Sequence, residues 1–162
     1  MGVGRQLLLG GAEIAAMSLL LGGLGKLRHP DAAARSMAVL WPRPGVPPAR
    51  ADGAGGATAR RLVRAGSVVE IALAAVSFTG WWRAATVGVG LAFTVFALVV
   101  EVERRRGVLD CGCFGAVSAR PTGAHVALNV GLAAVSGTAA VAGDRHRMTD
   151  GPRWVRSLRS RR

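Results

Sequence analysis

Tyrosine is absent from this chain of 162 residues, and Phe and Trp leave aromatics at only 5%. A chain so poor in aromatic faces has no stacking platform for single-stranded nucleic acid. Lysine is nearly missing too: of 21 Lys+Arg, only Lys26 is lysine. Acidic residues number 9, which leaves a formal charge of +12. Such an excess ordinarily points to nucleic acid. Here the arginines flank apolar runs and fill a C-terminal tail, which is the pattern of membrane topology and contact with anionic headgroups. Membrane lipids are therefore an expected partner, and nucleic acid is not. Cysteine occurs twice, at Cys111 and Cys113. Two thiols cannot scaffold a disulfide-stapled fold. With no further Cys and no nearby His cluster, no zinc set is completed either.

What the sequence has in abundance is apolar length. Hydrophobic residues make up 51% and mean hydropathy is +0.35, although charged residues still reach 19%. These values coexist because the charges are segregated from the apolar runs. Runs of this length read as membrane spans rather than as a soluble core. The expected fold is all-α, an integral membrane four-helix bundle, with spans at about 7–24, 65–82, 84–100 and 123–143. Residues 1–144 form the membrane domain and 145–162 a basic tail. Soluble enzymes and classical nucleic-acid-binding domains are excluded on the same grounds. The expected location is the cell membrane, as a multi-pass protein.

The first run reads as a retained helix rather than a signal peptide. It continues into GKLRHP without a cleavage-type site and carries Glu13. After a short helical stretch from Asp31, the segment at about 42–61 is dense in Pro and Gly and reads as a flexible loop. Only Arg83 and its neighbours separate the second and third runs, so these pair as an antiparallel hairpin. Trp41, Trp81 and Trp82 suit membrane-interface positions. An even number of spans puts both termini on one side, expected to be the cytoplasm. Small residues recur at Gly11 and Ala15, Gly88 and Ala92, and Ala127 and Gly131, a spacing that lets helix backbones approach in lipid.

The most distinctive string is Asp110-Cys111-Gly112-Cys113-Phe114-Gly115. Glycine between and after the thiols lets the chain turn back at a helix end and bring the sulfurs together. Such a pair can cycle between dithiol and an exchange-active disulfide. Arg104, Arg105 and Arg106 just upstream favour the thiolate, while Asp110 opposes it. Two other readings stand beside this one: a thiolate metal carrier, or two inert small residues. Glu70 lies inside the second run. An ionisable group there is a functional candidate by default, set against a structural pairing with Arg64 or with Lys26. Glu13 has the same status. His125 and Asn129 share one helix face and suit either a proton relay or, more commonly, interhelical hydrogen bonding.

Taken together, GLGKLRHP at the end of the first span, a second span with an internal Glu, and CGCFG before the last span resemble the methylamine utilisation protein MauE family, grouped with DoxX-like redox-associated membrane proteins. The resemblance implies a four-helix membrane protein that assists disulfide formation or redox maturation of exported proteins. Its partners would be a thioredoxin-like protein or exported protein thiols. The resemblance makes Cys111 and Cys113 the redox pair. Lys26 and Glu70 match positions the family pattern carries, and Asn129 falls where its last helix has a polar residue. No bound cofactor is expected, and a quinone is the candidate electron acceptor. The rival readings are an assembly factor or scaffold for the thioredoxin-like partner without redox turnover of its own, and the thiolate metal carrier.

Overall fold

Inside hydrocarbon every backbone N–H and C=O must be paired within its own segment, so long apolar runs become helices. The computed structural model describes residues 3–40, 54–79, 82–108, 111–114 and 117–142. Among them are five helices and one short hairpin: α1 (Val3–Arg28), α2 (Pro30–Leu40), α3 (Ala54–Val76), α4 (Trp82–Arg105), β1 (Cys111–Phe114), β2 (Val117–Ala119) and α5 (Gly123–Ala142). Three helices are long and apolar enough to cross a membrane: Gln6–Arg28, Trp82–Arg105 and Gly123–Ala142. α3 is long enough as well, but Arg60, Arg61, Arg64 and Glu70 lower its apolar content.

Packing runs α1 against α3 and α5, and α4 against α3 and α5. Arg83 at the start of α4 donates to the Ala140 carbonyl near the end of α5 at 3.2 Å, which makes that pair antiparallel. The cation also sits where the last carbonyls of α5 concentrate negative charge. The core cluster is Ala15, Leu19, Ala74, Val89 and Phe93, with Phe93 edge-on to Phe96 at 5.8 Å. Small side chains dominate the buried set, while Leu7, Ile14, Leu21, Leu91, Leu98 and Val141 are all exposed. This is the reverse of a soluble protein, where so much exposed apolar surface would be a liability. In lipid the exterior has no reason to be polar, and association depends on close packing. At Gly23 that packing involves backbone as well as side chain: a Cβ there would meet Ile71 Cγ1 at 3.0 Å and the Ser67 carbonyl at 3.1 Å. Several buried and lipid-facing hydroxyls are satisfied on their own helix. Ser67 donates to the Val63 carbonyl at 2.8 Å, Thr86 to Trp82 at 2.6 Å and Thr94 to Gly90 at 2.9 Å.

Several boundaries differ from the sequence reading. Residues 54–61, expected in the flexible loop, are the first two turns of α3. Gly55 and Gly56 are poor helix formers. Packing of this segment beside α2, with Arg60 3.6 Å from Asp31, outweighs that propensity. The second helix also stops at Val76, before the Trp pair, and a turn over Ser77–Thr79 follows. The rest of the loop, Trp41, Trp81 and the basic tail lie outside the described residues. Of the small-residue pairs, Gly11 faces Val135 and Gly88 faces Leu73, whereas Gly131 has open space around it and Ala127 is exposed. That last pair makes no interhelical contact within this chain.

Candidate functional site

α4 ends in a specific stop signal. Gly107 has φ +68°, the Val108 N–H donates to the Glu103 carbonyl at 3.1 Å, and the Gly107 N–H donates to Arg104 at 3.2 Å. This is the paired-bond closure in which a left-handed glycine satisfies the last carbonyls of a helix. It redirects the chain at once toward the cysteine segment. Two turns further back, Glu101 accepts from Arg104 Nε at 2.8 Å and from Arg105 Nε at 2.6 Å, which gathers two arginines on one side of the helix end.

Cys111, Gly112, Cys113 and Phe114 then form strand β1, not a turn at a helix end as the glycines suggested. The fold is therefore not purely helical: β1 pairs with β2 in an antiparallel hairpin. Cys111 stands opposite Ala119 and Phe114 opposite Val117. Three steps along β1 are thus matched by two along β2, and the register slips inside the cysteine segment. A slip of this kind bends and twists the strand that holds the extra residue. β1 lies beside α2 and the adjoining α1, with α4 also in contact. The flanking Asp110 and Gly115 lie outside the described residues.

At the same end of the molecule, Lys26 from the last turns of α1 meets Glu70 on α3. Lys26 Nζ donates to Glu70 Oε1 at 2.7 Å, and the two side chains are only 9% and 12% exposed. Lys26 Nζ also lies 4.4 Å from the Phe96 ring centroid, a cation–π contact that strengthens when water is excluded. Glu70 Oε2 is buried with no hydrogen-bond partner among the described residues. The structure thus takes the Lys26 pairing over the Arg64 pairing, and Arg64 is exposed.

His125 and Asn129 turn inward upon their own helix. Asn129 Nδ2 donates to the His125 carbonyl at 2.9 Å. His125 Nδ1 accepts from the Thr122 N–H at 3.1 Å, with the Thr122 hydroxyl also 3.1 Å away. Thr122 is the N-cap of α5, and His125 closes the box from the third helical position, the place usually held by Glu or Gln. Among the described residues, the hydrogen bonds of this pair stay within their own helix and its cap. Glu13 is exposed on the outer face of α1.

Glu103 was not singled out by the sequence reading. It is fully buried in the last turns of α4, at 0% exposure. Within EVERRR it looks like one more charge at a solvated helix end. The signal that could have found it is spacing: Glu103 lies seven residues after Phe96, on the same helix face as the buried Val100.

These features define a multi-pass helical membrane protein with a cysteine hairpin beside α1 and α2 and a buried Lys–Glu pair between α1 and α3. The family model described as methylamine utilisation protein MauE matches residues 6–142, and the chain belongs to that family. No curated protein and no solved structure matches it.

Proposed function

We propose that this protein is a membrane thiol–disulfide redox protein acting through Cys111 and Cys113 on exported proteins or on a thioredoxin-like partner. The observation that carries this reading is the backbone of β1, where both cysteines fall on one strand whose register slips between Cys111 and Phe114. In a regular strand, residues two apart have Cα atoms roughly 6.6 Å apart, at the outer limit for a disulfide. The slip within Cys111–Phe114 bends the strand, and on this reading that bend brings the pair within reach of both dithiol and disulfide forms. A strained bond of this kind is exchange-active. The arginines of the α4 terminus, Arg104 to Arg106, lie five to nine residues before the two cysteines in the chain and favour thiolate over thiol.

In the exchange, a partner thiolate attacks one sulfur of the Cys111–Cys113 disulfide, forms a mixed disulfide and releases the other sulfur as a thiolate. The partner's second thiolate then breaks the mixed bond. The partner dithiol loses two electrons and two protons, and the Cys pair gains them. Passing both to a quinone restores the disulfide, since quinone reduction to quinol takes up the same two electrons and two protons. Glu70 holds the buried Lys26 charge and serves turnover as a proton-carrying group.

The same reading makes α3 the fourth span of a four-helix membrane bundle. Its stretch from Ala65 to the helix end at Val76 covers about 18 Å at the helical rise, and the ion pair with Lys26 neutralises the charge it carries. The hairpin then faces the extracytoplasmic side, where disulfides persist.

The test is to quench cells with acid, tag free thiols with a mass label, and compare samples before and after reduction. Both thiols should be protected in a fraction of native protein and freed by reductant. Cys113→Ser or Cys111→Ser should trap a mixed disulfide with a partner. Thiols that are always free, with neither variant capturing a partner, would refute the redox reading.

A further inference from the structure

The segments around the cysteine hairpin carry charge of nearly one sign. They are the end of α1, all of α2, the first turns of α3, the end of α4 and the approach to α5. The described carboxylates in these segments are already engaged or withdrawn from the surface. Asp31 lies 3.6 Å from Arg60, Glu101 accepts from Arg104 and Arg105, and Glu103 is fully buried. Arg28, Arg35, Arg61, Arg64 and Arg120 are all exposed, and no ion pair or hydrogen bond engages their side chains among the described residues. Arg28 ends α1 and Arg35 lies on α2, the two helices that pack beside β1, while Arg120 follows the last residue of β2 directly. Arg61 and Arg64 extend the patch onto α3, which packs along α2. Membrane topology does not account for these arginines. The cations that orient spans lie on the cytoplasmic side, and with the hairpin extracytoplasmic these lie on the other.

We infer that this arginine patch is a docking surface for a protein partner whose own cysteine pair sits in an acidic surface. The inference rests on the redox reading and names the class of partner it serves. Exchange requires a partner sulfur to reach Cys111 or Cys113 directly. A protein substrate therefore sets the surface around its thiols against these arginines. An acidic surface is steered in and a basic one repelled, with an effect mainly on the rate of encounter. The attacking thiolate is itself an anion and gains from the same field. Anionic headgroups would neutralise the same arginines, but the hairpin among them favours a partner that brings a thiol.

The full chain in phosphatidylcholine nanodiscs, with the Cys111–Cys113 disulfide formed, is mixed with peptides that share one two-cysteine core flanked by Asp, by Ser or by Lys. In each reaction the peptide dithiol gives two electrons and two protons to the protein disulfide, leaving a peptide disulfide and a protein dithiol. Each rate is divided by that of the same peptide with a small uncharged disulfide, which removes the influence of the flanking charges on the peptide thiols themselves. At about 0.02 M salt the Asp peptide should react about tenfold faster than the Lys peptide or more, with the Ser peptide between them, and at about 0.5 M the rates should agree within about twofold. Arg35→Glu combined with Arg61→Glu and Arg120→Glu should bring the low-salt ratio of Asp to Lys rates to about one or below. If that variant does not accumulate, the wild-type ratio and its loss at high salt decide. Equal rates at low salt, a preference for the Lys peptide, or a preference that the triple variant keeps overturns the inference and leaves the redox reading intact. Reaction with none of the peptides refutes the redox reading, and this inference falls with it. A ratio near one, in protein that retains phosphatidylglycerol through purification and loses it in the triple variant, gives the arginines to lipid headgroups and overturns the inference as well.

Discussion

A buried charge is tolerated when its partner is in place and penalised when it is not, and Lys26 with Glu70 shows this at the scale of single residues. Their 2.7 Å contact is nearly sealed from the surface. Removing one member strands the other, at a cost of about 3–5 kcal/mol. Lys26→Met should therefore reduce accumulation and thermal stability in detergent, whereas Lys26→Met with Glu70→Leu should recover most of the loss. A double variant as unstable as the single one would show that the pair is not a unit. Glu70→Gln keeps shape and a hydrogen bond to Lys26. It is expected to cost less stability than Lys26→Met, because the amide oxygen still accepts from Lys26, while slowing thiol turnover per accumulated copy; unchanged turnover per copy would assign Glu70 to structure alone. Ser136 makes the opposite case: its Oγ is fully buried with no hydrogen-bond partner among the described residues. Losing an unsatisfied hydroxyl removes a desolvation penalty. Ser136→Ala should leave the melting temperature unchanged or higher, and a clear drop would reveal a partner for that oxygen.

The ends of the helices decide where the chemistry-bearing segments go. Gly107 closes α4 in a left-handed conformation, and a Cβ there would meet strain rather than a steric neighbour. Gly107→Ala should cost about 1 kcal/mol, read as a lower melting temperature with a more rapidly alkylated cysteine hairpin. Equal stability and equal alkylation would mean that the turn does not position the strand. At α5 the His125 ring accepts from the Thr122 N–H, so His125→Ala should destabilise by roughly 1 kcal/mol, read as a lower melting temperature. Close approach rather than capping governs the α1–α3 contact. Gly23→Leu would drive a side chain into Ser67 and Ile71 and should abolish accumulation, while Gly66→Ala, with open space at its Cβ, should be silent.

At the scale of the whole molecule, reporter fusions at Met1 and Arg162 should report the same side of the membrane if α3 crosses with the other three helices. Opposite sides would leave α3 as a non-spanning element. The helical class, the membrane location and the family were legible in the chain because they depend on the length of apolar runs and on the fixed string CGCFG, both of which survive without any tertiary context. The glycines of that string were read as a turn. Strand pairing with Val117–Ala119 gives Gly112 an extended backbone instead, since cross-strand pairing is invisible to local propensity. The first turns of α3 were hidden for the same reason: α2 stabilises a Gly-rich stretch that has little helical preference of its own. Glu70 could be named from sequence as an ionisable residue in an apolar run, but its partner could not. Lys26 lies 44 residues away, and only the side-by-side packing of α1 on α3 chose it over Arg64. Glu103 is masked in the sequence by its place in EVERRR, which reads as a solvated helix end; its heptad spacing from Phe96 is the local trace of a burial that the packing over it decides.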